Sequence, residues 1–154
     1  MINIEKVLIP VDGSDFSRNA AKYAAHLVNS RNPKLYLLNA WEPVNMTIGN
    51  EMADRLRKSA EADSMELLQE YGAMLAPCGM EVELISRSGR PDYVILNVQD
   101  EFDCDLIVIG SRGLSVLENV IMGSVVTRVL EGASCPVLVT RNLRYKYLRD
   151  ACGI

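Results

Sequence analysis

The sequence predicts an α/β domain: a parallel sheet with helices on both faces. Three observations carry that prediction. Apolar, β-branched-rich runs alternate along the chain with segments of helical periodicity. Two of the runs are apolar without interruption, as strands buried on both faces are. A long glycine-containing loop follows one of them and opens onto a helix.

The five strand candidates are Lys6 to Val11, Lys34 to Ala40, Met80 to Ser86, Asp105 to Ile109 and Pro136 to Thr140. Val7-Leu8-Ile9 and Leu106-Ile107-Val108-Ile109 have the composition of central strands. Glu81-Val82-Glu83-Leu84 alternates charge with apolar residues and reads as an edge. Between the strands lie four helices. Phe16, Ala20, Ala24, Leu27 and Val28 recur at helical spacing, as do Met52, Leu56, Ala60, Leu67, Tyr71 and Met74. A third helix, Pro91 to Glu101, is expected to bury Val94, Ile95 and Val98. A fourth, Ser124 to Glu131, is expected to bury Val125 and Val129 with Leu130 beside them. Local chemistry marks the ends. Ser14 suits an N-cap with Asp15 in the first turn, Pro91 suits a first helical position, and Gly132 suits a C′ position.

A length of 154 residues fits one domain with a real core. The formal charge of −4 gives no general electrostatic reason to bind nucleic acid. No apolar run is long enough to span a bilayer, and the start at Met1-Ile2-Asn3 shows no signal-peptide pattern, so a cytoplasmic protein is expected. Cys78, Cys104, Cys135 and Cys152 form no C-x-x-C pair and His26 is the only histidine; a metal site built from protein ligands alone is not expected, and the cysteines read as incidental thiols. No nucleophile–base pair is apparent, so no catalytic residue is assigned.

The chemistry concentrates in Gly110-Ser111-Arg112-Gly113, followed by nine residues and then Gly123-Ser124. In open α/β sheets ligands bind beyond the strand carboxyl ends. Glycines let phosphate oxygens approach the backbone, and the amides of Gly123, Ser124 and Val125 at a helix N-terminus would favour an anion. Facing this loop is the end of the first strand. Pro10 cannot donate to the ladder and marks that end. Asp12 beyond it either accepts from ribose hydroxyls or caps the first helix. Pro10, Val11 and Ala40 form a neutral edge able to receive a flat base. Neither a Walker motif nor a G-x-G-x-x-G fingerprint is present.

These residues resemble the universal stress protein family. The resemblance runs from Val7 to about Arg141 and rests on V-L-I-P-V-D-G-S, Gly89-Arg90-Pro91, D-L-I-V-I-G-S-R-G at 105 to 113, Gly123-Ser124 and P-V-L-V-T. The glycine and serine spacing is similar to the family's ATP-binding branch. The resemblance implies a five-stranded parallel sheet in the order 3-2-1-4-5 and homodimers paired through the last strand, Val137 to Thr140. The charge-free last strand independently needs either such a partner or cover by the tail. The resemblance further places base and ribose at Pro10, Val11, Asp12 and Ala40, and ribose and phosphates at Ile109, Gly110, Arg112, Gly113, Gly123, Ser124 and Val125. The ligand implied is ATP, or ADP or AMP, with Mg²⁺ or Mn²⁺ on the phosphates. Residues 1–142 then form the nucleotide-binding unit, and Leu143 to Ile154 an extension.

Three functions compete at this point: a dimeric stress-response module governed by adenine nucleotide, a slow ATPase or self-phosphorylating enzyme using Ser111, Ser115, Ser124 and Arg112, and a nucleotide-free interaction protein.

Overall fold

The structure, a computed structural model, describes residues 2–42, 49–114 and 121–148. The elements run β1 (Lys6–Pro10), α1 (Asp15–Val28), β2 (Lys34–Trp41), α2 (Asn50–Leu75), β3 (Val82–Ser88), α3 (Pro91–Phe102), β4 (Leu106–Gly110), α4 (Ser124–Gly132) and β5 (Val137–Thr140). All pairings are parallel, and the sheet order is β3-β2-β1-β4-β5. β1 is therefore central, with β2 on one side and β4 on the other; the chain builds outward to β3 and then crosses back over β1 to β4.

The period-two alternation of the strands separates two cores. Val7, Ile9, Leu35, Leu37, Leu106 and Val108 face one way, onto the alanines of α1 and onto Leu68, Tyr71 and Leu75 of α2. Leu8, Tyr36, Leu38, Ile107 and Ile109 face the other way, onto α3 and α4. Val7, Leu8 and Ile9 are all fully buried, each contributing about 1.5–3 kcal/mol. Ala20, Ala21, Ala24 and Ala25 let α1 lie close on the sheet. β3 is an edge, and its Glu83, with Glu81 just before it, pairs with Lys34, at 2.7 and 3.0 Å.

The helix ends follow their local chemistry. The Ser14 side chain accepts from the Ser17 amide at 3.2 Å and caps α1. Pro91 opens α3. Gly132 differs from expectation. It is the last residue of α4, and a Cβ there would lie 2.7 Å from Leu96 Cδ1, so the glycine serves the close approach of α4 to α3 rather than a left-handed turn.

Several faces also differ from the periodicity reading. α2 buries Ala53, Ser64, Leu68, Tyr71 and Leu75, while Met52 and Leu56 are exposed. α1 leaves Leu27 exposed and buries Ala21 and Ala25 instead. α4 buries Val126 and Val129, with Val125 only half-buried and Leu130 exposed. In each case apolar residues lie on adjacent stripes, and the stripe that packs is fixed by how the helix lies on the sheet. Among the described cysteines, Cys104 and Cys135 carry free thiols, whereas Cys78 is disulfide-bonded and so departs from the reading of incidental thiols; Cys152 lies outside the described residues.

β5 borders β4 alone, and Val137, Leu138 and Val139 keep part of their surface exposed. The chain beyond β5 turns to α1, where Tyr147 meets Tyr23 edge-on at 6.0 Å between ring centroids. Among the described residues no helix is long and apolar enough to cross a membrane.

Candidate functional site

The carboxyl ends of β1 and β4 define a cleft where the connections diverge, the usual position of a ligand in an open α/β sheet. Pro10 ends β1 as expected, and Val11 follows it in a tight weave. The Val11 amide donates to Leu38 O at 2.8 Å, and the Asn39 side chain donates to Val11 O at 2.8 Å. Asn39 is buried and was not singled out in the sequence; its signal was a lone amide inside the apolar run Leu37-Leu38-Asn39-Ala40. Ala40 lies next to it, half-buried, with its side of the sheet on the α3–α4 core.

Asp12 begins the turn into α1. Its Oδ1 accepts from the Ser14 amide at 3.0 Å and the Ser14 hydroxyl at 2.5 Å, while Oδ2 accepts from the Leu114 amide at 3.1 Å. Asp12 is therefore not the α1 cap, which is Ser14. It joins the β1 turn to the loop after β4. Gly13, at φ +86°, makes the turn possible.

The three loop glycines have different structural demands. A Cβ at Gly110 would meet the Phe16 backbone at 2.9 Å, so this glycine lets β4 approach α1. At Gly113 a Cβ would press onto the Asp12 carboxylate. At Gly123 the backbone is ordinary (φ −69°, ψ 158°), and a Cβ would find nothing closer than 3.5 Å. The fold itself does not require glycine there.

The amides at the start of α4 depart from expectation in one respect. Gly123 N–H is already donated to Ser111 O at 2.8 Å, so it is not available to a ligand. No side chain caps α4, leaving its first-turn amides, at Ser124 and Val125, as the donors of this helix end. Ser124 is exposed and Ile109 is buried in the sheet below the loop. Arg112 is half-buried, with its guanidinium carbon 5.8 Å from the Phe16 ring centroid. Ser115 lies outside the described residues.

Two buried side-chain polar atoms among the described residues have no hydrogen-bond partner: Ser111 Oγ and Arg112 Nε. Both belong to this loop, and Ser111 is fully buried. Unpaired buried polar groups are costly and uncommon in folded proteins. No group of three or more His, Cys, Asp or Glu side chains that could hold a metal ion occurs among the described residues.

Residues 3–141 match the model of the universal stress protein family. The chain belongs to that family. It is 31% identical over 145 residues to the universal stress protein YxiE of Bacillus subtilis, covering 88% of this chain and 98% of that protein. Among solved structures it is similar to a universal stress protein in complex with cAMP, at 25% identity and a TM-score of 0.71, covering 91% of this chain and 98% of the other. It is also similar to the universal stress protein of Archaeoglobus fulgidus in complex with dAMP, at 25% identity and a TM-score of 0.62, covering 92% and 100%. The family's fold and sheet order are those found here.

Proposed function

We propose that this universal stress protein is an adenine-nucleotide-binding regulatory module that takes ATP, ADP or AMP in the cleft between β1 and β4. The observation that carries the reading is the pair of unpartnered buried polar atoms, Ser111 Oγ and Arg112 Nε, on the loop that faces Asp12. A phosphate oxygen is the acceptor such donors lack. Gly123 supports it, being a glycine whose missing side chain leaves room that the protein does not fill. The relatives solved with cAMP and dAMP support the adenine class.

In this reading the base rests on Pro10, Val11 and Ala40, and Asp12 accepts from the ribose. Ile109, Gly110 and Gly113 form the floor under the sugar and phosphates, and Ser124 and Val125 present amides to the chain's far end. Arg112 needs only to leave the Phe16 ring to add its charge. A divalent ion, Mg²⁺ or Mn²⁺, would ride on phosphate oxygens, since the described residues offer no ligand cluster of their own.

The same proposal includes a homodimer. The outer edge of β5 presents backbone groups and the partly exposed Val137, Leu138 and Val139, and a second copy would cover them. Tyr147 packs on Tyr23 of α1 rather than on β5.

Titration calorimetry of nucleotide-stripped protein with ATP, ADP and AMP, each with and without Mg²⁺, tests the proposal. Saturable one-site binding of at least one nucleotide is the expected result. No heat with any of them ends the reading.

A further inference from the structure

Tyr71 is fully buried in the core between α2 and the sheet, among Leu68, Leu75 and the alanines of α1. Phenylalanine would fill the same space without bringing a hydroxyl into an apolar core. The hydroxyl is therefore present for its bonds, because a buried polar group is tolerated only when partnered. The bond it makes leads to one turn, through Ser17. The Tyr71 hydroxyl lies 2.5 Å from Ser17 Oγ, in the first turn of α1. Ser17 Oγ in turn donates to Ser14 O at 3.1 Å and accepts from the Asp12 amide at 3.3 Å. Either hydroxyl can donate in this pair, and in both cases Ser17 links Tyr71 to Ser14 and Asp12. Burial raises the phenol's pKa and keeps it protonated.

We propose that the Tyr71 hydroxyl is a positioning group that fixes the Asp12–Gly13–Ser14 turn from α2, and so sets where the Asp12 carboxylate meets a ribose. The inference rests on the nucleotide reading above for its functional consequence, but not for its geometry. The hydroxyl holds the Asp12 and Ser14 backbone through Ser17, while the Asp12 carboxylate reaches Ser14 on one side and Leu114 on the other. The span from α2 to the β4 loop is thus a single hydrogen-bonded chain with Asp12 in the middle. A shift of that turn would act on the sugar contact directly and on the loop after β4 only through the Leu114 amide.

The test compares Tyr71→Phe with Ser64→Ala. Ser64 is another buried α2 hydroxyl, bonded at 2.7 Å to Ser86 Oγ and not to the turn, so it reports the cost of removing a buried hydroxyl as such. Affinities for ATP and for 2′,3′-dideoxy-ATP are measured by calorimetry on both variants and the wild type. Tyr71→Phe is expected to weaken ATP binding about two- to tenfold, the range of one lost hydrogen bond, and to leave the dideoxy analogue unchanged, so that ribose discrimination falls. Ser64→Ala is expected to preserve the ratio. Equal loss for both ligands, or an unchanged ratio in Tyr71→Phe, overturns the proposal. Amide hydrogen exchange at Ser14 and Leu114, the two main-chain donors to Asp12, is read on the same proteins without ligand. Faster exchange at both in Tyr71→Phe alone supports positioning, and unchanged exchange overturns it. If the wild type binds neither nucleotide, the nucleotide reading falls, and the exchange result still decides the role of Tyr71.

Discussion

The Asp12 carboxylate accepts a hydrogen bond from the Leu114 amide at 3.1 Å across 102 residues of sequence. Among the described residues this side-chain bond joins the β1 turn to the loop after β4, so the two halves of the cleft meet on an acidic residue. With Ser14 it already fills three of the roughly four acceptor positions of a carboxylate. A ribose hydroxyl must take the remaining one or displace a protein donor. Sugar binding and the placement of the glycine loop are thereby linked.

Asp12→Ala removes both connections. Nucleotide affinity is expected to fall by about 1–3 kcal/mol, the range for a hydrogen bond to a charged group. Leu114 amide exchange should accelerate in the free protein. Calorimetry and hydrogen exchange check the two effects separately, and unchanged affinity with faster exchange would restrict Asp12 to loop placement.

The loop glycines should divide into two classes. Gly110→Ala puts a methyl group against the Phe16 backbone, which has no flexible end to yield, and is expected to destabilise the fold by about 1–3 kcal/mol in denaturant melts. Gly123→Val faces no such barrier within the protein. It should melt close to the wild type yet lose nucleotide affinity at least about tenfold, equivalent to about 1.4 kcal/mol. Gly113→Val falls between, because its side chain would displace the Asp12 carboxylate and so disturb the site from inside.

Asp92, buried in the first turn of α3, is held by Arg90 at 2.9 and 2.6 Å, with Arg128 of α4 at 3.4 Å. The Arg90 guanidinium keeps its carboxyl well below the usual carboxylate range. A lowered folded-state pKa contributes stability above the unfolded value and loses it as pH falls through the folded value. Asp92→Asn should therefore be less stable than the wild type at neutral pH, by about 1 kcal/mol after allowance for the solvent-exposed arginines. The gap should begin to close below about pH 4, the ordinary aspartate value, and urea melts across pH 2–7 read it directly. A gap that stays constant to the lowest pH would show that packing, not charge, is lost.

The β5 edge gives a prediction about assembly. Val139→Lys places a charge on the outer strand while leaving the β4 side of the ladder intact. Sedimentation should show a dimer for the wild type and a monomer for the variant, with an unchanged circular dichroism spectrum. A wild-type monomer at all concentrations would remove the dimer from the functional reading.

Much of the architecture was legible in the residues. Val7-Leu8-Ile9 and Leu106 to Ile109 are apolar throughout because both sheet faces are covered. Pro10 ended β1, Ser14 capped α1, and Pro91 opened α3, since each of these is decided by chemistry within a few residues. The strand order came from family resemblance and agrees with the observed sheet. The α2 face differs from the one its periodicity suggests, because its first turns carry Met52 and Leu56 on an exposed stripe and periodicity does not say which stripe lies on the sheet.

The sequence by itself determined the elements, their alternation and the presence of a glycine loop after β4, because period, turn chemistry and capping are local. Only the tertiary structure decided that Asp12 answers Leu114, that Gly123 N–H is spent on Ser111, and that the Tyr71 hydroxyl reaches the Asp12 turn. Those relations join groups that are distant in sequence and are set by how the helices close over the sheet, so no local pattern encodes them.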